Sequence, residues 1–301
     1  MSVEKIVVRV FDTLNVHVER HLFHDDADSV ILVNGALATT ASFGQTIKYL
    51  SERYNVVCFD LPYAGQSRQY NPGQFLLTKD DEVAILLELI HRFRPKFLYS
   101  VSWGGLAALL ALARGASSVQ RAVIGSFSPY LNAEMMDYVS KARDYLSQDD
   151  KDAAAQLLNN TVGQNLPGVL KSMNYRYLIN LPEEERAQIK FHIDQILALR
   201  PDDYLPTLSN IRCGIKFING VLDQHTPVGD IRKMTSYINN AQFSAIADTG
   251  HFLELEGRAQ KAAVRGEIMA FFETAEMPAA HPLPAQSFLA ALQAPTFAGA
   301  N

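Results

Sequence analysis

The sequence predicts an α/β protein in which helices cover both faces of a mostly parallel central sheet and a helical segment interrupts the strand pattern. Short apolar runs at Val30 to Val33, Val56 to Phe59, Phe97 to Val101, Ala122 to Ile124, Ile215 to Gly220 and Gln242 to Ala247 alternate with helical stretches, as βαβ units require. From about Leu131 to Thr207 no buried strand is legible, only helical stretches such as Met135 to Leu146, Ala153 to Val162 and Glu183 to Leu199. The chain has 301 residues and 48% hydrophobic content, enough for one large core with an inserted subdomain rather than two independent domains. The expected division is therefore a core of residues 1–130 and 208–274, a helical cap at 131–207 and a flexible Ala- and Pro-rich tail at 275–301.

Taken in order, Ile6 to Val10 and Val16 to Glu19 read as two strands around Asp12-Thr13-Leu14-Asn15, an antiparallel start. Val30 to Val33 is the first buried strand and turns at Asn34-Gly35-Ala36. Val56 to Phe59 leads into Asp60-Leu61-Pro62-Tyr63-Ala64-Gly65-Gln66-Ser67. The next helix, about Thr78 to His91, opens on a capping residue with Asp80, Asp81 and Glu82 in its first turn, where acidic groups complement the helix dipole. That acidic cluster is expected to act as N-terminal charge. After the last strand and His251, a helix is expected to run to about Thr274.

Chemistry concentrates at Ser100-Val101-Ser102-Trp103-Gly104-Gly105, between the strand Phe97 to Val101 and a strongly helical run. A nucleophile elbow turns so sharply that small residues are needed two positions before and after the nucleophile, and Ser100 and Gly104 meet that need. Ser102 is thus the candidate nucleophile. It requires a base and an acid to orient that base, in the chain order Ser, Asp, His. Asp223 follows the strand Ile215 to Gly220, and His251 follows the strand Gln242 to Ala247 with Gly250 permitting the turn. Asp248 is a rival acid, but at three residues from His251 it fits turn shaping better than orientation. Acyl transfer also needs two backbone donors for the oxyanion. Trp103 N–H is one; Ala36 N–H is the other, with Leu37 as its alternative.

The remaining signals bound the reading. With 27 Lys+Arg against 32 Asp+Glu the formal net charge is −5, which provides no footprint for nucleic acid or an anionic membrane. Two cysteines, Cys58 and Cys213, exclude a disulfide scaffold and favour the cytoplasm, and no run approaches a membrane span or a leader. His17, His21 and His24 lack a supporting carboxylate pattern, so no metal is expected. His192 and Asp194 are expected to form a polar network within the cap. Leu131, Met135, Met136, Leu157, Leu158, Leu166, Val169, Leu170, Met173, Leu178, Ile193, Ile196 and Leu197 form a pool from which about a quarter would line an acyl tunnel.

Several stretches carry a family resemblance: Leu32-Val33-Asn34-Gly35-Ala36, Phe59-Asp60-Leu61-Pro62, Ala64-Gly65-Gln66-Ser67-Arg68-Gln69, Ser102-Trp103-Gly104-Gly105, Phe191-His192-Ile193-Asp194-Gln195, Phe217-Ile218-Asn219-Gly220 and Thr249-Gly250-His251-Phe252-Leu253. Over roughly residues 6–272 the sequence resembles the family of rhamnosyltransferase A subunits, the 3-(3-hydroxyalkanoyloxy)alkanoic acid synthases of the α/β-hydrolase superfamily. The resemblance implies an α/β-hydrolase fold with a helical cap and an acyltransferase without a cofactor. Its substrates would be 3-hydroxyacyl chains on acyl carrier protein or coenzyme A, joined into 3-(3-hydroxyalkanoyloxy)alkanoic acids, the lipid precursor of rhamnolipid biosurfactants. A glycosyltransferase would act downstream. Ser102, Asp223 and His251 inherit the triad roles, and Arg68, Arg143, Lys171 and Arg176 are candidates for contact with the carrier. A simple esterase or thioesterase shares the triad and differs in admitting water; a non-catalytic ligand-binding protein of the same fold is the third reading.

Overall fold

The computed structural model describes residues 2–274 except 74 and 240; the expected tail at 275–301 lies outside the described residues. In chain order the elements are β1 (Ser2–Val10), β2 (Leu14–Leu22), β3 (Ser29–Val33), α1 (Gly44–Leu50), β4 (Asn55–Asp60), α2 (Lys79–Phe93), β5 (Phe97–Val101), α3 (Trp103–Ala113) and β6 (Arg121–Gly125). Four helices follow, α4 (Ala133–Ser147), α5 (Lys151–Asn160), α6 (Gly168–Ile179) and α7 (Glu183–Ala198), and then α8 (Pro201–Tyr204), β7 (Gly214–Gly220), α9 (Val228–Ile231), β8 (Gln242–Ile246) and α10 (Arg258–Glu273). The eight strands form one sheet in the order β1-β2-β4-β3-β5-β6-β7-β8. β1 pairs antiparallel with β2, and β2 with β4; every later pairing is parallel.

Alternation of side chains along the strands builds two apolar layers. Ile31, Val57, Leu98 and Ile124 face one way, onto α2 and α3. Val30, Val56, Phe97 and Val123 face the other, onto α1 and α10. Helices therefore cover both faces, as expected. β3 lies between β4 and β5, so the chain reverses its direction of winding there. Ligands bind in such sheets at the carboxyl ends of the strands on either side of this switch point, and the turns after β3 and β5 are the ones the sequence singles out.

Local chemistry explains the boundaries. Thr78 caps α2, accepting from Asp81 N while Asp81 Oδ2 accepts from Thr78 N at 2.8 Å, a reciprocal capping box. After β4, Asp60 Oδ1 accepts from Thr40 N and Oδ2 from Gln66 N, and Gly65 takes a φ of 49° with its Cα against that carboxylate. The C-terminal helix follows His251 as expected, beginning at Arg258 after a turn and ending at Glu273. Glu256 accepts from Gly250 N at 2.6 Å and Phe252 N at 2.9 Å, and those bonds hold the segment as a turn.

Helices α4 to α7 form an insertion between β6 and β7. Val139, Ala155, Leu158, Leu166 and Ile193 are buried within it, whereas Val169 (72% exposed), Met173 (53%) and Met136 (40%) face solvent. Gln188 of α7 docks the insertion onto the core: its Oε1 accepts from Leu77 N and its Nε2 donates to Leu77 O, both at 2.8 Å and buried. Because neither group meets water, losing one partner would leave the other unsatisfied.

A Cβ on Gly104 would lie 2.3 Å from Asn34 O, so α3 approaches the turn after β3 more closely than any side chain allows. Gly104→Ala is expected to cost about 1–3 kcal/mol through overpacking, read as a lower urea midpoint with an unchanged slope.

Candidate active site

Ser102 stands between β5 and α3 with φ 51° and ψ −125°, a conformation that costs a non-glycine residue energy and persists because its surroundings hold it. Its N–H donates to Gly125 O of β6 at 2.8 Å, and its carbonyl accepts from Gly105 N at 2.8 Å. From the other side Gly35 presses close, where an added Cβ would meet Ser102 Cβ at 3.2 Å. The hydroxyl is thereby presented at the carboxyl end of the sheet.

The base and acid arrive from the turns after β8 and β7. His251 Nε2 lies 3.0 Å from Ser102 Oγ, and His251 Nδ1 lies 2.7 Å from Asp223 Oδ2. Asp223 is 3% exposed and fully engaged: Oδ1 accepts from His225 N at 2.9 Å and Thr226 N at 3.1 Å, and Oδ2 accepts from the Thr226 hydroxyl. Burial pushes this carboxyl up, but the charge and hydrogen bond of His251, with the Thr226 bonds, outweigh it and hold the group well below the usual carboxylate range. The two turns are bound to each other, Leu222 N donating to Thr249 O at 2.8 Å, and Ser126 Oγ donates to His251 O at 2.5 Å. A hydroxyl, an imidazole and a carboxylate thus stand in line, the arrangement that general-base activation of a nucleophile requires.

Trp103 is the first residue of α3, whose leading amides lack intrahelical acceptors. Trp103, Ala36 and Leu37 line one cavity of about 60 Å³, shared by the turn after β3, α2 and α7. Leu37 takes a positive φ of 62°. Leu61, Leu86, Ile189, Ile193 and Ile196 make its walls apolar, and Glu82, Glu185 and His192 interrupt them.

The α/β-hydrolase fold family matches residues 28–257. The chain is 40% identical over 271 residues to an (R)-3-hydroxydecanoyl-ACP:CoA transacylase of Pseudomonas aeruginosa, covering 90% of each protein, and 39% identical over 273 residues to one of Pseudomonas putida, covering 91% and 92%. The chain belongs to the α/β-hydrolase fold family and, within it, to the family of these transacylases. Among solved structures, an α/β-hydrolase enzyme from a Medee basin deep-sea metagenome superposes with a TM-score of 0.76 at 14% identity, over 91% of this protein and 99% of that one. That likeness is one of fold.

Within this α/β-hydrolase the other singled-out residues divide. Asp248 takes a φ of 51° in the turn, and the carboxylate beside His251 is that of Asp223. His192 and Asp194 do not form one network within the insertion. Asp194 pairs with Lys190 on an open face of α7, whereas His192 Nε2 lies 2.8 Å from Glu82 Oε1 of the core. Glu82 stands in the first turn of α2 as expected, and it is also 3% exposed and receives Lys79 Nζ at 2.5 Å and Trp103 Nε1 at 3.2 Å. One polar residue in each turn of two helices does not reveal a buried pair across them. Of the apolar pool, Ile193 and Ile196 reach the cavity, and Val169 and Met173 do not.

His17 Nε2 and His21 Nε2 lie 3.3 and 3.4 Å from the two oxygens of the Glu19 carboxylate. Glu19, His21 and Cys58 bring ligating atoms within 4.8 Å of one another, but Glu19 already pairs with Lys5 at 2.9 Å, and burial pushes the Cys58 thiol far up, keeping it protonated. Arg68 reaches Glu185 at 3.8 Å, and Arg143 reaches Asp144 at the same distance; Lys171 and Arg176 bond backbone carbonyls. Thr226, His225 and Glu256 support the site without a motif in the sequence to mark them; an acid loop rich in short polar donors is the faint signal.

Asp223 is lowered in the folded protein, so its contribution to stability is present above its unfolded value of 3.8 and lost as pH falls through the folded value. Asp223→Asn is accordingly expected to lose less stability than the parent as pH falls below about 4, measured by urea midpoints.

Proposed function

We propose that this protein is a 3-hydroxyacyl-thioester acyltransferase working through an acyl-serine at Ser102. The observation that carries the reading is the Asp223-His251-Ser102 line, at 2.7 and 3.0 Å, beside a mostly apolar cavity lined in part by α7. Its relatives' printed name, an (R)-3-hydroxydecanoyl-ACP:CoA transacylase, supports a 3-hydroxyacyl thioester as donor.

His251, oriented by Asp223, takes the Ser102 proton as Oγ attacks the thioester carbonyl. The amides of Trp103 and Ala36 hold the developing oxyanion. Collapse breaks the C–S bond; the thiolate takes the proton from His251 and leaves. The 3-hydroxyl oxygen of a second substrate then attacks the acyl-serine carbonyl while His251 removes its proton, and the Ser102 oxygen leaves and is reprotonated by His251. The new bond is an ester. The product is a 3-(3-hydroxyalkanoyloxy)alkanoic acid when the acceptor is a free 3-hydroxy acid, a substrate for a downstream glycosyltransferase.

Ester synthesis needs water kept from the acyl-serine, so the insertion of α4 to α7 serves as a cap over a dry acceptor site. Among the described residues no helix is long and apolar enough to cross a membrane. The cytoplasm, where carrier-bound acyl groups are held, is the proposed place of action. A second reading is favoured by the relatives' name itself, in which the thiol of coenzyme A is the acceptor. It uses the same acyl-serine and differs in the second nucleophile.

Mixing the protein with 3-hydroxydecanoyl thioesters of acyl carrier protein or coenzyme A should produce an acyl adduct on Ser102 by mass spectrometry and the dimeric ester as product. With the carrier-protein thioester and free coenzyme A, 3-hydroxydecanoyl-CoA would instead mark the second reading. Ser102→Ala should lower turnover by at least about 10³-fold. Absence of an adduct with unchanged turnover in that variant would end the proposal, and free 3-hydroxydecanoate as sole product would make the protein a thioesterase.

A further inference from the structure

The cavity beside the candidate oxyanion donors is more polar at one place than a hydrocarbon chain requires. Glu82, 3% exposed, offers Oε2 to Lys79 Nζ at 2.5 Å and Trp103 Nε1 at 3.2 Å, and Oε1 to His192 Nε2 at 2.8 Å and the Tyr63 hydroxyl at 3.5 Å. The Lys79 ammonium also lies 3.6 Å from the centre of the Trp103 ring. Burial pushes the Glu82 carboxyl up, but the Lys79 charge and His192 outweigh it and hold it at about 2. Glu82 is therefore ionised and its acceptor positions are taken.

His192 Nε2 is engaged from two sides, by Glu82 Oε1 at 2.8 Å and by the Gln188 Nε2 amide at 2.7 Å, so Nδ1 is the ring nitrogen left for another partner. Gln188, locked by its two bonds to Leu77, packs 2.7 Å from the same Nε2 and confines the ring. Among the described residues none donates to Nδ1, and His192 lines the cavity. A hydroxyl both donates and accepts, so it meets this nitrogen in either protonation state.

We propose that His192, held by Glu82 and Gln188, recognises the 3-hydroxyl of the bound acyl group and selects 3-hydroxyacyl over unsubstituted acyl groups. The inference rests on the acyl-serine reading above. An apolar wall discriminates weakly against a substrate that differs by one hydroxyl, whereas a site built to hydrogen-bond that hydroxyl rejects the analogue lacking it by factors of up to about 10⁴–10⁵. A cluster serving solely to dock α7 would duplicate the Gln188–Leu77 pair and would be indifferent to the substituent.

The test is the ratio of single-turnover acylation rates of Ser102 by 3-hydroxydecanoyl-CoA and decanoyl-CoA, followed by intact mass. The parent should favour the hydroxylated substrate by at least about tenfold. His192→Gln retains an N–H toward Glu82 and removes Nδ1, so its ratio should fall to within about twofold of unity. His192→Asn, which carries an oxygen near the Nδ1 position, should keep part of the preference. Should His192→Gln lose its thermal transition, the ratio is read on His192→Phe. Equal acylation of the parent by both thioesters overturns the proposal, and so does a preference that survives in His192→Gln, whereas absence of acyl-serine with either thioester overturns the acyl-serine reading itself.

Discussion

The strained backbone of Ser102 is the constraint around which the rest of the structure is arranged. A non-glycine residue at φ 51° and ψ −125° costs about 1–3 kcal/mol, and it survives only where neighbours leave no alternative. Here β5 is paired on both sides, Ser102 N is bonded to β6, and Gly35 and Gly104 let the turn after β3 close against it. The same close approach gathers Ala36, Leu37 and Trp103 around one cavity. Loosening the packing would relax the residue and scatter the donors together.

Two buried carboxylate–imidazole pairs flank that elbow. In each, an ionised acid held by several donors faces one nitrogen of a histidine, Asp223 with His251 and Glu82 with His192. Bringing a charge into a protein interior costs several kcal/mol unless hydrogen bonds replace its hydration, and both acids receive them: Asp223 from Thr226 and His225, Glu82 from Lys79 and Trp103. What differs is the far side of the ring. His251 meets Ser102, and His192 lies at the wall of the cavity. On the readings proposed above, one imidazole serves proton transfer and the other recognition.

The two pairs also differ in how they join parts of the molecule. Asp223 and His251 stand on adjacent turns of the same sheet, bound by Leu222 and Thr249, so their alignment is as rigid as the β7–β8 pairing. Glu82 and His192 belong to a core helix and an inserted helix, and their alignment depends on α7 staying docked through Gln188.

The alternation of strands and helices, the elbow at Ser102 and the chain order of Asp223 and His251 were legible because each depends on local chemistry: apolar periodicity, small residues at a sharp turn, and a strand that delivers a loop. The sequence by itself thus determined the sheet, the candidate triad and the place of the insertion. Tertiary structure alone decided that Glu82, in the first turn of α2, is also a buried partner of another helix, that His192 points out of the insertion toward the core while Asp194 does not, and that Ile193 reaches the cavity while Val169 faces solvent. The physical reason is that periodicity reports which face of a helix is apolar, whereas the partner of a polar group on that face depends on the angle at which another helix, more than 100 residues away in the sequence, comes to rest against it.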